Sequence, residues 1–505
     1  MTTSEDRVPG GTAVGAAPLA NPKRWTALVF ICLAQLMVVL DITIVNIALP
    51  EMQADLAFSN DNRQWVVTSY TLAFGSLLLL GGRIADYTGR KRAFLIALAG
   101  FAAASCLGGA AGNIELLLTA RALQGVFGAL LAPTALSLIS VNFTDQKERA
   151  KAFSIFGSIV ASGAVIGLLL GGILTEYLDW RWCMYVNAPI AVLAAFGVLY
   201  LGPEQRAAVR ARFDIPGVLL VTSGLVAIVY ACSEAESEGW GSGLVVGLFI
   251  TGIVLLSAFL AVEARSAHPL VPLRVIADRT RGSAYLAMAV GMVAMLGALF
   301  FLTFYLQLVK GYTPVETGLA FLPMPVGVGM MAGGLSPKIL PKAPPRAIMV
   351  PGMLIAASAL FWMAMLEADS SYWGMVMPAL FVLGLGMGLL IAPAVNYGTY
   401  KVADEDAGVA SGSVNTAQQI GGSIGTALLS TLAADAAAEY ITEHAAGAEN
   451  PGLLEKAAMV EGFTTAFTWA GAIMACGAVV LAALMNTPKP EPGEAGHGSG
   501  MAHLG

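Results

Sequence analysis

Long apolar stretches recur from one end of the sequence to the other, and only short charged segments separate them. Residues 28–40 and 243–262, for example, contain no charged side chain. A helix needs about 20 mostly apolar residues to cross the bilayer. We expect helices because lipid offers the backbone no hydrogen-bond partner and because these stretches lack the alternation of a transmembrane β-barrel. With 12% charged residues, against about a quarter in soluble domains, the sequence indicates an all-α polytopic membrane protein.

The hydropathy pattern predicts fourteen transmembrane spans. They cover residues 25–48, 65–82, 93–112, 116–138, 152–174, 185–201, 216–232, 243–262, 283–306, 317–336, 347–366, 374–394, 411–434 and 464–485. With the N-terminus in the cytoplasm, 22 Lys and Arg residues fall inside, four fall outside and Arg121 lies within a span, which accounts for all 27. This distribution supports a bacterial inner-membrane protein with two cytoplasmic tails, residues 1–24 and 486–505. No apolar core precedes Trp25, so the first span is expected to be an uncleaved anchor.

A weak internal repeat divides the spans into two halves. At a constant offset of 254 residues, Arg92 corresponds to Arg346, Gly167 to Gly421 and Gly171 to Gly425. Parallel repeats of this kind are typical of transporters. We therefore predict a six-helix bundle at residues 25–201, two inserted helices within residues 202–282, and a second six-helix bundle at residues 283–485.

An acidic residue lies inside the first span, within the segment Leu40-Asp41-Ile42-Thr43-Ile44-Val45-Asn46. Asp41 is about seven residues, or roughly 10 Å, from the outer end of its span. A charge at such a depth is costly, so an intramembrane acid that gains and loses a proton suggests proton coupling. The alternative is a structural aspartate that hydrogen-bonds neighbouring helices.

Arg121 is the expected partner of Asp41, because it lies at a matching depth in the fourth span. Arg121, Gln124, Gly125 and Gly128 follow helical spacing and share one helix face. Protonation of Asp41 would weaken its attraction to Arg121, and this change could bias an equilibrium between two conformations.

The connection between the second and third spans, residues 82–92, combines glycine with charge. Gly82, Asp86, Gly89 and Arg90 are predicted to form a latch on the inner face, in which Gly89 adopts positive φ and Asp86 pairs with a neighbouring helix start or arginine. The basic residues at its end also serve as a positive-inside anchor.

Glycines recur along the fifth span at Gly163, Gly167, Gly171 and Gly172. This small-residue spacing permits close approach to another helix, although many membrane helices carry it for packing alone. In the second half, Asn415 and Gln418 bring neutral amides into an apolar helix, whereas Met295 occupies the position that corresponds to Asp41.

Together these motifs resemble the major facilitator superfamily, and specifically its fourteen-helix drug:proton antiporter family, over nearly the whole chain. The matching segments are residues 40–50, Trp65 with Tyr70, residues 82–92, Arg121 with Gln124 and Gly125, Trp180-Arg181-Trp182 with Asn187 and Pro189, residues 268–270, and residues 415–425. The fifth span departs from the family's antiporter motif Gly-Pro-x-x-Gly-Gly, because Leu168 stands where the proline is usual.

The resemblance implies a major facilitator fold with helices arranged as six plus two plus six, and alternating access around a central cavity. Asp41 and Arg121 would couple transport to protons, residues 82–92 would act as the latch, and the proton gradient would supply energy without a cofactor or metal. We assign Asn46, Gln124, Tyr305, Asn415 and Gln418 to the substrate cavity. The expected partners are drug-like small molecules, protons and the lipid bilayer, without nucleic acid, and the unit is expected to be a monomer.

Other functions have less support. The sequence contains no Gly-x-x-x-x-Gly-Lys-Ser/Thr loop for ATP and no catalytic or metal-binding constellation within the spans, so we do not expect an enzyme. Export of antibiotics or similar amphipathic molecules is the leading prediction. A dedicated exporter of one endogenous metabolite is the main alternative, and a membrane sensor is a further one.

Overall fold

The computed structural model describes residues 23–143, 145–199, 214–266, 269, 271–339, 343–402, 406–445 and 450–485. These residues form helices and contain no β-strand. The α-helices, numbered in chain order, are α1 Arg24–Leu56, α2 Asn60–Thr88, α3 Arg90–Gly109, α4 Ile114–Asn142, α5 Gln146–Tyr177, α6 Arg181–Tyr185, α7 Asn187–Leu199, α8 Ile215–Glu238, α9 Gly243–Arg265, α10 Leu273–Ile276, α11 Arg279–Phe304, α12 Pro314–Ala320, α13 Pro323–Gly329, α14 Ser336–Ile339, α15 Arg346–Met363, α16 Met377–Gly398, α17 Ala407–His444 and α18 Pro451–Leu484. Three π-helical segments, Tyr305–Val309, Met330–Leu335 and Tyr372–Val376, adjoin α11, α13 and α16.

The predicted spans coincide with long apolar helices. Within the described ranges, 13 helical segments are long and apolar enough to cross a membrane. The remaining predicted span, residues 65–82, lies on α2, a helix of 29 residues. The all-α polytopic fold is therefore confirmed, while most of the two predicted tails and the boundary at residue 201 lie outside the described residues.

Several helices extend beyond the apolar stretch that identified them. The segment 83–92 was expected to connect two spans, but α2 continues to Thr88 and α3 begins at Arg90. Likewise, α17 continues to His444, ten residues beyond its predicted span at 411–434. The reason is that hydropathy marks where the lipid contact ends, whereas a helix ends where its backbone is capped or turned.

The tenth predicted span, residues 317–336, is interrupted. It comprises α12, α13, the π-helical segment Met330–Leu335 and α14 in succession. Pro323 begins α13 just after a turn, because proline has no N–H to continue the preceding helix.

The two predicted halves use the same helix pairing. α5 packs along α1, and α17 packs along α11. Glycine allows the backbones to approach closely in both pairs: a Cβ added at Gly171 would lie 3.0 Å from Ile44 Cα, and one added at Gly425 would lie 2.7 Å from Val293 Cα. These glycines belong to the repeat that the sequence suggested.

The helices between the two halves form a hairpin beside the junction of α2 and α17. α8 packs against α9 and also against α2 and α17. The Thr431 hydroxyl of α17 donates a hydrogen bond to the Cys232 carbonyl of α8 at 2.6 Å. The inserted pair therefore contacts both halves along one flank of the bundle.

The halves also meet at the end of the bundle where α1 ends, here called the Leu56 end. Gln307 Nε2 donates to the Ile47 carbonyl at 3.0 Å. The guanidinium carbon of Arg63 lies 4.0 Å from the centroid of the Phe304 ring. These contacts join α1 and α2 to the C-terminal end of α11 and to the π-helical segment Tyr305–Val309 that follows it.

Candidate functional site

A buried network of hydrogen bonds surrounds Asp41 on α1. The Asp41 side chain has no solvent exposure. Its Oδ2 accepts from Arg121 Nη1 at 2.6 Å. Its Oδ1 accepts from Gln124 Nε2 at 2.7 Å and from Asn187 Nδ2 at 2.8 Å. Since an ionised carboxylate only accepts hydrogen bonds, these three donors match the charged form.

Arg121 is also fully enclosed, with 1% of its surface exposed. Besides Asp41, its Nη1 donates to Gln124 Oε1 at 2.9 Å and its Nε donates to the Val66 carbonyl at 3.0 Å. The guanidinium carbon lies 4.5 Å from the centroid of the Tyr70 ring, a cation–π arrangement. The structure thus brings together Asp41, Arg121 and Gln124, as the sequence analysis expects, and adds an aromatic contact from α2.

Ser105 and Asn187 complete the network from α3 and α7. The Ser105 hydroxyl oxygen accepts from Gln124 Nε2 at 2.7 Å and from Asn187 Nδ2 at 3.3 Å. In the sequence, Asn187 is marked only by the family resemblance, and Ser105 is not marked at all. Ser105 carries no motif of its own, since it is one hydroxyl in a run of small residues on α3.

The energetics of the pair argue for a role beyond stability. Burying an ion pair costs desolvation that its mutual attraction only partly offsets, and a well-packed apolar pair is often as stable. Removing one partner, however, costs about 3–5 kcal/mol because the other charge is left buried. Asp41 and Arg121 are therefore a costly arrangement within the membrane, which makes them a candidate functional site.

The glycines of α5 face helices from both halves. Gly163 contacts the side chains of Leu36 and Val39, and Gly167 contacts Thr43. A Cβ added at Gly172 would instead lie 2.7 Å from the Pro314 carbonyl oxygen of α12. Gly163, Gly167 and Gly171 thus bring α5 against α1, and Gly172 brings it against the second half.

Leu168 lies within an unbroken α5. It is 3% exposed, and its carbonyl oxygen would lie 2.5 Å from a Cβ added at Gly318. The residue that replaces the family's proline therefore takes part in the contact with α12.

The predicted latch is shorter than expected. Gly82 and Asp86 belong to α2, Arg90 begins α3, and Gly89 alone separates the two helices. Gly89 has a φ of 96°, a left-handed conformation that favours glycine, as predicted. The side chain of Asp86 lies outside the described residues, so its pairing stays a prediction.

The five residues assigned to the substrate cavity have different surroundings. Gln124 belongs to the Asp41 network, and Asn46 is buried with its Oδ1 lacking a hydrogen-bond partner in the described part of the chain. Asn415 and Gln418 are half-buried on α17. Tyr305 is fully buried, and its hydroxyl donates to the Glu367 carbonyl at 2.6 Å, so it does not line an open cavity in this conformation.

The chain is similar to known proteins over most of its length. Residues 31–426 match the Major Facilitator Superfamily. A puromycin resistance protein of Streptomyces alboniger is 46% identical over 481 residues, which cover 95% of each chain. A cephamycin export protein of Amycolatopsis lactamdurans is 38% identical over 410 residues, covering 81% of this chain and 84% of that protein.

The fold has relatives among solved structures. A bacterial homologue of the human lysosomal transporter Spinster has a TM-score of 0.66 at 17% identity, covering 92% of this chain and 98% of the other. The chain therefore belongs to the major facilitator superfamily and is a multi-pass membrane transporter with antibiotic resistance and export proteins among its relatives.

Proposed function

We propose that this transporter exports antibiotic-like, amphipathic small molecules in exchange for protons by alternating access. The observation that carries the proposal is the fully buried pair of Asp41 and Arg121 within the first half. A buried carboxylate that faces a permanent cation can change its charge on binding a proton, and neighbouring helices then experience a different field.

Protonation acts on the contact between α1 and α4. The ionised Asp41 holds Arg121 through a charge-assisted hydrogen bond, which is about twice as strong as a neutral one. Once Asp41 is neutral, Arg121 keeps Gln124, the Val66 carbonyl and the Tyr70 ring as partners. The equilibrium between the two conformations shifts by the difference in this interaction, which is how a proton drives the cycle.

The contacts between the halves support one assignment of conformation. Gln307 with Ile47, and Arg63 with Phe304, join the halves at the Leu56 end. At the same end, Glu176 of α5 accepts from the Val315 backbone N–H of α12 at 3.0 Å. The positive-inside distribution favours an orientation with this end outside the cell and both termini inside, and on that basis we infer that the structure is the state closed to the outside.

The relatives indicate which substrates to test first. Puromycin and cephamycin appear in the names of two relatives that match most of the chain. We infer that the substrate is an antibiotic or a chemically similar amphipathic molecule. Dedication to one compound remains the second candidate, because each of these two relatives carries the name of one antibiotic or antibiotic class.

The test uses the purified full-length chain in sealed vesicles. An imposed proton gradient is expected to drive puromycin transport, and Asp41→Asn is expected to abolish it. Glu148→Gln is the matched control, since Glu148 is a carboxylate in a more exposed ion pair with Arg24 at 2.7 Å. If the gradient moves no compound from a panel of antibiotics and cationic dyes, proton-coupled export is wrong. Transport of many compounds would argue for broad specificity and transport of one for dedication.

The latch is tested separately. Asp86→Asn is expected to retain substrate binding and to lower turnover, because it affects the interconversion of the two conformations and not the coupling site. Loss of binding in this variant would contradict the latch.

The orientation and the oligomeric state need their own tests. Cysteine labelling from each side of the membrane checks the orientation, and light scattering of the detergent-solubilised protein checks whether it is a monomer.

A further inference from the structure

Asn187 has an unused hydrogen-bond acceptor inside the Asp41 network. Its side chain is fully buried, and its Nδ2 donates to Asp41 Oδ1. Its Oδ1 has no hydrogen-bond partner in the described ranges. A buried polar atom without a partner is unfavourable and calls for an explanation.

The neighbouring amide of Gln124, in contrast, has no unused acceptor. Gln124 Nε2 donates to Asp41 and Ser105, while its Oε1 accepts from Arg121. Turning the Gln124 amide would place its NH₂ group against the guanidinium, which also only donates. The Tyr70 hydroxyl likewise lacks a partner, but it lies near Gly128, a turn beyond Gln124 on α4.

We propose that Asn187 is a positioning residue whose amide turns when Asp41 is protonated. The NH₂ group faces the ionised carboxylate, and the carbonyl oxygen faces the neutral acid. This inference rests on the proposed function, since it requires that Asp41 takes up and releases a proton.

Donors and acceptors match at the Asp41 carboxyl in both protonation states, while the position without a partner holds Asn187 Oδ1 in the ionised state and the Asn187 NH₂ group in the neutral state. A half-turn of the amide exchanges its nitrogen and oxygen, so that Oδ1 takes the place of Nδ2, 2.8 Å from Asp41 Oδ1 and 3.3 Å from Ser105 Oγ. Asp41 takes up a proton from solvent and forms an O–H bond. This O–H group then donates to Asn187 Oδ1. The Ser105 hydroxyl accepts from Gln124 and can donate its own hydrogen to the same Asn187 oxygen.

The charged and titratable groups around Asp41 do not replace this acceptor. Arg121 faces Asp41 from α4 and only donates. From α2, Tyr70 contacts Arg121, whose guanidinium carbon lies 4.5 Å from the centroid of the Tyr70 ring, and Cys183 lies on α6. The Cys183 sulfur has Thr175 Oγ1 as its hydrogen-bond partner at 3.3 Å. From α5, the residues that contact α1 near Asp41 are glycines, which have no side-chain acceptor. Asn187 is therefore the neighbour that can donate to ionised Asp41 and accept from neutral Asp41.

Infrared difference spectra of the reconstituted full chain, recorded between acidic and alkaline pH, test the proposal. The carboxylic acid C=O band that Asp41→Asn removes belongs to protonated Asp41. In Asn187→Leu, which has similar branching but no acceptor, we expect this band to move to higher wavenumber. We also expect turnover to fall by about threefold to tenfold, the effect of one hydrogen bond lost from the cycle. Asn187→Ser, which can donate or accept, is expected to return the band towards its original position.

Asn46→Leu is the matched control for the infrared band alone, because Asn46 is another buried asparagine whose carbonyl has no partner in the described ranges, but it is assigned to the substrate cavity. It should leave the Asp41 band in place. Asn187→Ala serves as a second variant if Asn187→Leu does not fold, with the same shift expected. If Asp41→Asn removes no band, both the proposed function and this inference fail. If the band exists but neither Asn187→Leu nor Asn187→Ala moves it, only this inference fails.

Discussion

The two halves of the transporter share a helical plan and differ in what they bury. The first half encloses a carboxylate, a guanidinium and two amides around Asp41. In the described residues after 282, the buried polar side chains are hydroxyls, apart from Asp406 at the start of α17. Thr303 and Thr426, for example, donate to carbonyls of their own helices. At the position that corresponds to Asp41, Met295 packs against the apolar core.

We expect the two halves to share helix packing and to differ in proton coupling. Close glycine-mediated packing between α1 and α5 recurs between α11 and α17, because small residues let two helix backbones approach each other. A titratable charge in both halves would double the desolvation cost without adding a helix contact. We therefore expect the first half to respond to protons and the second half to follow mechanically.

The largest effect is expected when the charge is removed from the first half. Asp41→Asn keeps the shape of the side chain but cannot titrate, so proton-driven transport should fall to background in vesicles. Adding Met295→Asp should not restore it, because an acid there would have no buried arginine as partner. Restored transport in the double variant would show that the two halves are interchangeable.

Removing Arg121 should be nearly as severe and should depend on pH. Arg121→Ala leaves the Asp41 carboxylate buried without its cation, which costs about 3–5 kcal/mol of folding stability. Protonation removes that uncompensated charge, so the loss of stability should be smaller at acidic pH than at alkaline pH. Arg121→Lys should retain part of the activity at best, because the planar fork is lost. Thermal unfolding at several pH values and vesicle transport measure both effects.

Glycine substitutions compare the packing of the two halves directly. A Cβ added at Gly167 would collide with the Thr43 side chain, whereas one added at Gly421 would collide with the Ala289 backbone. Because a backbone cannot move aside as a side chain can, Gly421→Ala should destabilise the protein more than Gly167→Ala, within about 1–3 kcal/mol. Gly157→Ala on α5 is the control, since no atom lies within 4 Å of the added Cβ. Equal melting temperatures for all three variants would contradict the close packing.

The smallest effect is expected at the exposed ion pair between the inserted segment, residues 202–282, and the second half. Arg274 Nε lies 2.8 Å from Asp406 Oδ2, but 65% of the Arg274 side chain is exposed. Exposed pairs contribute about 0–1 kcal/mol, so Arg274→Gln should change stability by less than Arg121→Ala does. A comparable loss in thermal unfolding would mean that burial is not what distinguishes the two pairs.

Much of the fold follows from hydropathy and charge. The spans, their number and the membrane class could be predicted because the cost of exposing backbone and charge to lipid is large at every position. Helix ends could not be predicted as well. The segment 83–92 reads as a polar connection, yet Gly89 alone separates α2 from α3, since helix formation continues past the lipid boundary.

The site residues that could be predicted are those whose side chains cost free energy to place within a membrane span. Asp41 and Arg121 are conspicuous because charges are rare in spans, and matching depths predict that they meet. Ser105 and the role of Asn187 were not predictable in this way. A hydroxyl or amide is common in membrane helices, and its partners depend on how α3 and α7 rotate against α1.

The sequence by itself determined the membrane class, the fourteen spans and the presence of an acid and a base within the first bundle, because each reflects a local energy of transfer into lipid. Only the tertiary structure decided that Asp41 receives three donors, that α5 meets α1 through Gly163, Gly167 and Gly171, and that Asn187 keeps an idle acceptor. These features depend on the positions of residues far apart in the chain, and no local transfer energy encodes them.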